Sequence, residues 1–170
     1  MLTIDLRHLK QAPIEAEAEV TGDDPLWHGT GVELVEAVTV KVRAEGTTAG
    51  SVWLRGSLKG RVRAACRRCL QPLEMDIADD FDLFFDPQAS QEDEDLTLYA
   101  SDPKADELDL RAPLRERFLQ AIPAFPLCRE ECRGLCAHCG ANLNDGACGC
   151  GAREPDPRWG PLLASPGNAG

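Results

Sequence analysis

The chain has 170 residues, 43% of them hydrophobic, and a formal charge of −11, which suits one domain with a modest core, or one domain with a small appendage. No apolar run reaches the roughly 18 residues of a membrane-spanning helix, and the opening Met1-Leu2-Thr3-Ile4-Asp5 has neither the basic nor the apolar region of a secretory leader, so the expected compartment is the cytoplasm, with no membrane partner. An average field this negative excludes general adhesion to nucleic acid: either a local basic face makes such contacts, or the partner is itself basic.

The first half of the chain reads as strands. Ile14, Ala16, Ala18 and Val20 alternate with Glu15, Glu17 and Glu19, the period-two pattern of a half-buried strand. Val38, Val40 and Val42 alternate with Thr39, Lys41 and Arg43 in the same way. In a third run Leu58, Val62 and Ala64 oppose Lys59, Arg61 and Arg63; in a fourth Leu73, Met75, Ile77, Phe81, Leu83 and Phe85 oppose Glu74, Asp76, Asp80 and Asp82. The third and fourth flank Cys66-Arg67-Arg68-Cys69-Leu70-Gln71-Pro72, which predicts a hairpin whose turn is a metal knuckle. An antiparallel sheet with one wet face is the simplest host.

From Glu74 to Asp109 there are fourteen acidic residues against one basic residue, Lys104. Within it, residues 86–107 contain Glu92-Asp93-Glu94-Asp95 and few apolar side chains, which predicts a flexible acidic loop. Asp109 is the expected N-cap of one main helix, with Leu110, Leu114, Phe118, Ala121 and Ile122 at helical spacing, Pro113 tolerated near its start and Pro123 ending it. The expected organisation is α+β: a β-rich part over 1–123 holding the hairpin, acidic loop and helix, a cysteine-rich zinc-binding region over 124–152 packed on it, and an extended tail over 153–170. No internal repeat is evident.

The cysteine spacing is Cys66-x₂-Cys69, a long gap, then Cys128-x₃-Cys132-x₃-Cys136-x₂-Cys139-x₈-Cys148-x-Cys150. Between Cys128 and Cys150 the only large apolar residues are Leu135 and Leu143, too few to offset the ordering entropy of the segment. Tetrahedral zinc held by thiolates would hold it instead, contributing on the order of 10–16 kcal/mol of apparent folding free energy. Eight thiols divide into two Cys₄ sites. The preferred partition joins Cys66 and Cys69 to Cys128 and Cys132, clamping the hairpin turn to the end of the helix, and leaves Cys136, Cys139, Cys148 and Cys150 as a local second site with Asn144-Asp145-Gly146 turning the chain between its halves. A single site of Cys128, Cys132, Cys136 and Cys139 is the alternative partition. Ferredoxin-type cysteine spacings are absent, and a disulfide framework requires an oxidising compartment. A redox pair at Cys66–Cys69 activated by Arg67 and Arg68 leaves the other six cysteines without a role. Since open catalytic zinc sites usually include His or carboxylate ligands, these sites read as structural.

Arg55, Lys59, Arg61, Arg63, Arg67 and Arg68 place six positive charges in fourteen residues without an acid. They are candidate contacts to an RNA backbone, unless the carboxylates of the neighbouring strand pair with them across the sheet. The acidic stretch, in turn, either confers solubility or docks a basic partner such as a ribosomal protein. His8, His28 and His138 are scattered, and neither a nucleophile constellation nor a phosphate-cradling glycine loop accompanies them, so neither an enzyme nor a small-molecule substrate is expected. A zinc–thiolate redox sensor and a zinc-ribbon regulatory protein are the other readings, the acidic charge opposing the second.

With Cys66-Arg-Arg-Cys69-Leu70, the string Leu127-Cys-Arg-Glu-Glu-Cys-Arg-Gly-Leu-Cys-Ala-His-Cys-Gly-Ala-Asn-Leu-Asn144 and Cys148-Gly-Cys150, the sequence resembles the YceD family, bacterial and plastid proteins linked to accumulation of large-subunit (23S) ribosomal RNA. The resemblance extends over the β-rich segment, the acidic stretch, the helix and the Asp156-Pro-Arg-Trp159 tail. It implies a non-enzymatic role in rRNA synthesis, processing or stability and in large-subunit assembly, with rRNA or a basic ribosomal protein as partner. Some family members resemble only the first four-ligand set, which implies that the second is an accessory.

Overall fold

The computed structural model describes residues 2–47, 50–89, 97–102, 104–151 and 158. The centre of the acidic stretch, including Glu92–Asp95, and the expected tail apart from Arg158 lie outside the described residues. In chain order the elements are β1 (Thr3–Asp5), α1 (Leu6–Leu9), β2 (Ile14–Val20), a 3₁₀ turn (Pro25–Trp27), β3 (Glu33–Gly46), β4 (Val52–Ala65), β5 (Pro72–Asp86), β6 (Leu98–Ala100), β7 (Glu107–Asp109) and α2 (Arg111–Ala121). The main sheet has the order β2-β3-β4-β5-β6, while β1 and β7 pair separately as a two-stranded antiparallel ribbon. No helix among the described residues is long and apolar enough to cross a membrane.

The alternating runs become β2 to β5, joined antiparallel in the expected phase. Their inward residues, among them Val38, Val40, Val42, Leu54, Leu58, Val62, Ile77, Phe81, Leu83 and Phe85, are buried. A fully buried side chain of this kind stabilises by roughly 1.5–3 kcal/mol. Leu110, Leu114 and Phe118 cover this face from the helical side, and Trp27 packs on Phe118 with ring centroids 5.0 Å apart. The Trp27 indole N–H donates to the Thr21 carbonyl at 3.0 Å, so its burial leaves no donor unpaired. Phe118 approaches the sheet over Gly60: a Cβ there would stand 3.1 Å from Phe118 Cε2 and 3.0 Å from Val38 Cγ2.

Three expectations are corrected. The main sheet is mixed rather than antiparallel throughout, because β6 runs parallel to the end of β5 through Phe84↔Leu98 to Asp86↔Ala100. Residues 86–107 are therefore not all loop; three-residue strands are too short to show a period, and β6 is held instead by Tyr99, whose ring stacks on Phe85 at 5.5 Å and whose hydroxyl donates to Glu116 at 2.7 Å. Burial and the Glu116 carboxylate raise the Tyr99 phenol well above its ordinary range. The helix N-cap is Leu110 rather than Asp109, because pairing with Thr3 keeps Asp109 in β7. Its carboxylate still accepts from the Arg111 N–H at 2.9 Å, one residue before the cap.

Candidate metal centre

Pairing of β4 with β5 is regular down to Ala65↔Pro72, and the six residues between them, Cys66 to Gln71, form a closed knuckle. The Cys66 N–H donates to the Gln71 carbonyl at 2.9 Å, and the Leu70 N–H returns to the Cys66 carbonyl at 2.9 Å. After α2 the chain re-enters beside this turn, where the Arg67 N–H donates to the Pro126 carbonyl at 2.8 Å. That contact delivers Cys128 and Cys132. Cys69 Sγ lies 3.6 Å from Cys128 Sγ, and Cys66 Sγ lies 3.8 Å from Cys132 Sγ. A disulfide requires about 2.05 Å, whereas four sulfurs each about 2.3 Å from one tetrahedral zinc stand about 3.8 Å apart. The donor set therefore fits a thiolate-bound metal. Cys66, Cys69 and Cys132 are buried, and Leu73, Leu127 and Leu135 pack against them.

A second knuckle follows at Cys136–Ala141. The Cys136 N–H donates to the Ala141 carbonyl at 2.8 Å, the Gly140 N–H returns to the Cys136 carbonyl at 2.9 Å, and the flanking Leu135 and Asn142 form an antiparallel bridge. Every offset matches the first knuckle, so the structure contains a short repeat that the sequence analysis missed. Its sequence signal is faint, a CxxC with nothing else in common but its spacing. Cys148 and Cys150 complete the second set; within each set of four, the sulfurs lie within 4.8 Å of one another. The structure thus brings together the two sets of the preferred partition, and not Cys128, Cys132, Cys136 and Cys139.

The electrostatics repeat as well. Cys66 is lowered to about 6, first by the Cys69 backbone N–H, and Cys136 is lowered to about 6, first by the Cys139 backbone N–H. Their crowded neighbours go the other way: burial first pushes Cys128 up to about 12, and the Cys139 sulfur first pushes Cys150 up to about 12. Four thiols at such range cannot all ionise unaided, and a dication is what would let them.

Two residues outside the cysteine sets brace them. The Arg68 guanidinium donates to the carbonyls of Glu130 and Cys132 at 3.1 and 3.0 Å. Asn144 accepts from the Arg133 N–H at 2.9 Å and donates through Nδ2 to Cys132 Sγ at 3.4 Å. Asn144 belongs by sequence to the second set's loop, yet it touches a sulfur of the first; sequence reasoning saw it only as part of a turn.

Of the other basic residues, Arg67 lies in the first knuckle and Arg55, Lys59, Arg61 and Arg63 lie along β4. Arg55 meets Asp82 at 2.9 Å, Arg61 meets Asp76 at 2.7 Å and Glu36 at 3.4 Å, and Arg63 meets Glu74 at 3.4 Å and also Glu33. Hydrogen bonding from Arg55 holds Asp82 below the usual carboxylate range. Exposed pairs of this kind contribute little each, but they engage the arginines in a cross-strand ladder. Among the described residues, Lys59 and Arg67 make no ion pair.

This architecture defines a class: a mixed β-sheet covered by one main helix, with a carboxy-terminal segment folded around two four-cysteine cages that could each hold a metal ion. A family model described as "Large ribosomal RNA subunit accumulation protein YceD" matches residues 54–164, and the chain belongs to the YceD family. It is 38% identical over 60 residues to a chloroplastic large ribosomal RNA subunit accumulation protein YCED homolog 1 of Arabidopsis thaliana, a match covering 35% of this chain and 19% of that relative. The maize homolog is 27% identical over 134 residues, 62% of this chain and 46% of the relative. An uncharacterized protein of Mycobacterium tuberculosis is 27% identical over 174 residues, 95% of this chain and 80% of that protein. The chain thus spans less than half the length of the two plant relatives. No solved structure matches it.

Proposed function

We propose that this chain is a non-enzymatic, zinc-binding accessory factor for the accumulation of large-subunit (23S) rRNA, acting in the cytoplasm on the assembling large subunit through the rRNA or a basic ribosomal protein. The observation that carries the metal half of this reading is the pair of knuckles with identical hydrogen-bond offsets, each closing a set of four sulfurs within 4.8 Å. The rRNA half rests on family membership and on the names of the plant relatives. Zinc would serve as a staple: the β-rich part over 1–123 and the cysteine region over 124–152 each supply two ligands to the first cage, so one ion joins them. Between the two modes of action, the ion-paired state of Arg55, Arg61 and Arg63 favours a basic protein over direct phosphate contact by this strand.

Depleting the protein from its own cells and measuring the 23S to 16S ratio tests the biological half. The ratio should fall and be restored by the wild-type chain, but not by a chain carrying Cys69→Ser and Cys132→Ser. An unchanged ratio on depletion would remove the rRNA reading; full rescue by the double variant would remove the need for the first metal.

A further inference from the structure

Among the described residues, only β6 covers the outer edge of β5. The Phe84 N–H donates to the Thr97 carbonyl at 2.8 Å, on the β6 side, and β5 pairs with β4 without a bulge along its whole length. Alternate residues of a regular strand turn their amides to the same side. The N–H and C=O groups of Glu74, Asp76, Ala78, Asp80 and Asp82 therefore face away from β4, as those of Phe84 do. Strand β6 covers only Phe84–Asp86. Among the described residues no backbone hydrogen bond reaches the five that remain. A row of backbone groups with no partner among the described residues is a template for another strand.

We propose that this edge of β5 docks an extended, lysine- and arginine-rich polypeptide segment, which adds to the sheet as a further strand in line with β6. The backbone row makes the site; the side chains select its occupant. Four of the five edge residues carry carboxylates on the solvent face, and Asp80 makes no ion pair among the described residues. A second copy of this edge would set like charges opposite each other, which opposes self-pairing. A basic strand does the reverse, extending to the outer side of β5 the cross-strand pairing that Arg61 and Asp76 already make at 2.7 Å on the inner side. The opposite edge is shorter: β2 has seven residues against the fifteen of β5. Parallel pairing of β6 shows that this side of β5 accepts a strand.

The inference takes only the biological setting of its partner from the rRNA-accumulation reading, and its test is independent of rRNA levels. The probe is a nine-residue, end-blocked peptide of alternating lysine and valine, compared with versions N-methylated on all lysines or on all valines at unchanged charge. The parent should bind saturably to the zinc-loaded full chain. Antiparallel addition turns the lysine amides inward and parallel addition the valine amides, so one methylated version should lose at least about tenfold in affinity, the scale of one or two hydrogen bonds. Ala78→Pro removes an outward N–H without touching the ladder to β4 and should lose a similar factor. Should that variant fold poorly, amide exchange on the wild type decides: the peptide should slow exchange at Asp76, Ala78 and Asp80. No saturable binding of the parent, equal binding of both methylated peptides, undiminished binding by a folded Ala78→Pro protein, or unchanged exchange at these three amides would each overturn the proposal.

Discussion

Leu70 and Gly140 occupy the same place in the two knuckles. Each donates its N–H to the carbonyl of the first cysteine four residues back, at 2.9 Å in both, and each has a left-handed backbone, φ +59° for Leu70 and +72° for Gly140. Glycine adopts that conformation freely, whereas an L side chain there costs about 1–2 kcal/mol. Leu70 is also 64% exposed, so truncation forfeits little burial. In denaturant melts of the zinc-loaded protein, Leu70→Gly should raise stability by roughly 0.5–1 kcal/mol, and Gly140→Leu should lower it by roughly 1–2 kcal/mol. A loss in both variants would mean that Leu70 contributes packing that its exposure hides.

The two cages should release metal in order. Cys66, Cys69 and Cys132 are 0, 4 and 3% exposed, and the first cage joins segments far apart in sequence. Cys139 and Cys150 are exposed, and the second cage closes only its own loop. Elemental analysis should find two zinc ions per chain, falling to one with Cys148→Ser and to one with Cys69→Ser. A chelator should remove the second-site ion in a fast phase that leaves the sheet's circular dichroism unchanged. Stripping the first should then expose residues 124–135 to protease. Loss of both ions in a single phase would contradict independent sites.

What the sequence made legible follows from what repeats. Strands β2 to β5 are long enough for an apolar face to show as alternation, and the cysteines sort because CxxC pairs suit two ligands on one metal. Strands β1, β6 and β7 have three residues each, too few for a period, and their positions are set by tertiary pairing. Trp27 gave no signal, since its burial depends on packing against Phe118, distant in sequence and 5.0 Å away in space. The basic strand was legible as charge, but its pairing depended on register: Arg61 opposite Asp76 and Arg63 opposite Glu74 follow only once β4 and β5 are aligned.

Asp79 interrupts the apolar phase of β5, falling between buried Ile77 and Phe81. It is held by Arg117 of α2, whose Nε and Nη2 both donate to Asp79 Oδ2, at 3.0 and 2.7 Å. With each side chain 21% exposed, the pair is only partly desolvated. Removing one partner leaves a half-buried charge, so Asp79→Ala or Arg117→Ala should each cost roughly 1–2 kcal/mol in urea melts, less than a fully buried pair would. Replacing both by leucine should recover most of that loss, since an apolar pair of similar volume avoids the desolvation. Additive losses in the double variant would show that the ion pair is not the unit of stabilisation.

Asn144 joins the two halves of the cysteine region. Its Nδ2 donates to Cys132 Sγ at 3.4 Å and to Asn142 Oδ1 at 2.7 Å, while its Oδ1 accepts from the Arg133 N–H at 2.9 Å. Asn142 in turn bridges Leu135, beside the second knuckle. Hydrogen bonding from Asn144 helps keep the Cys132 thiol below its ordinary range against the opposing effect of burial, favouring the thiolate that a metal requires. Groups of this kind, which orient and ionise a ligand without touching the metal, typically change affinity by about 10–100-fold. Asn144→Ala should therefore weaken zinc at the first cage by about tenfold, read by competition with a chromophoric chelator, although residue 144 lies in the loop of the second. Asn144→Asp keeps the acceptor for Arg133 but places a carboxylate against the sulfur, and should weaken the first cage further. If the alanine variant instead loses affinity only at the Cys136, Cys139, Cys148 and Cys150 cage, the 3.4 Å contact to Cys132 is not what ties the loop to the first metal.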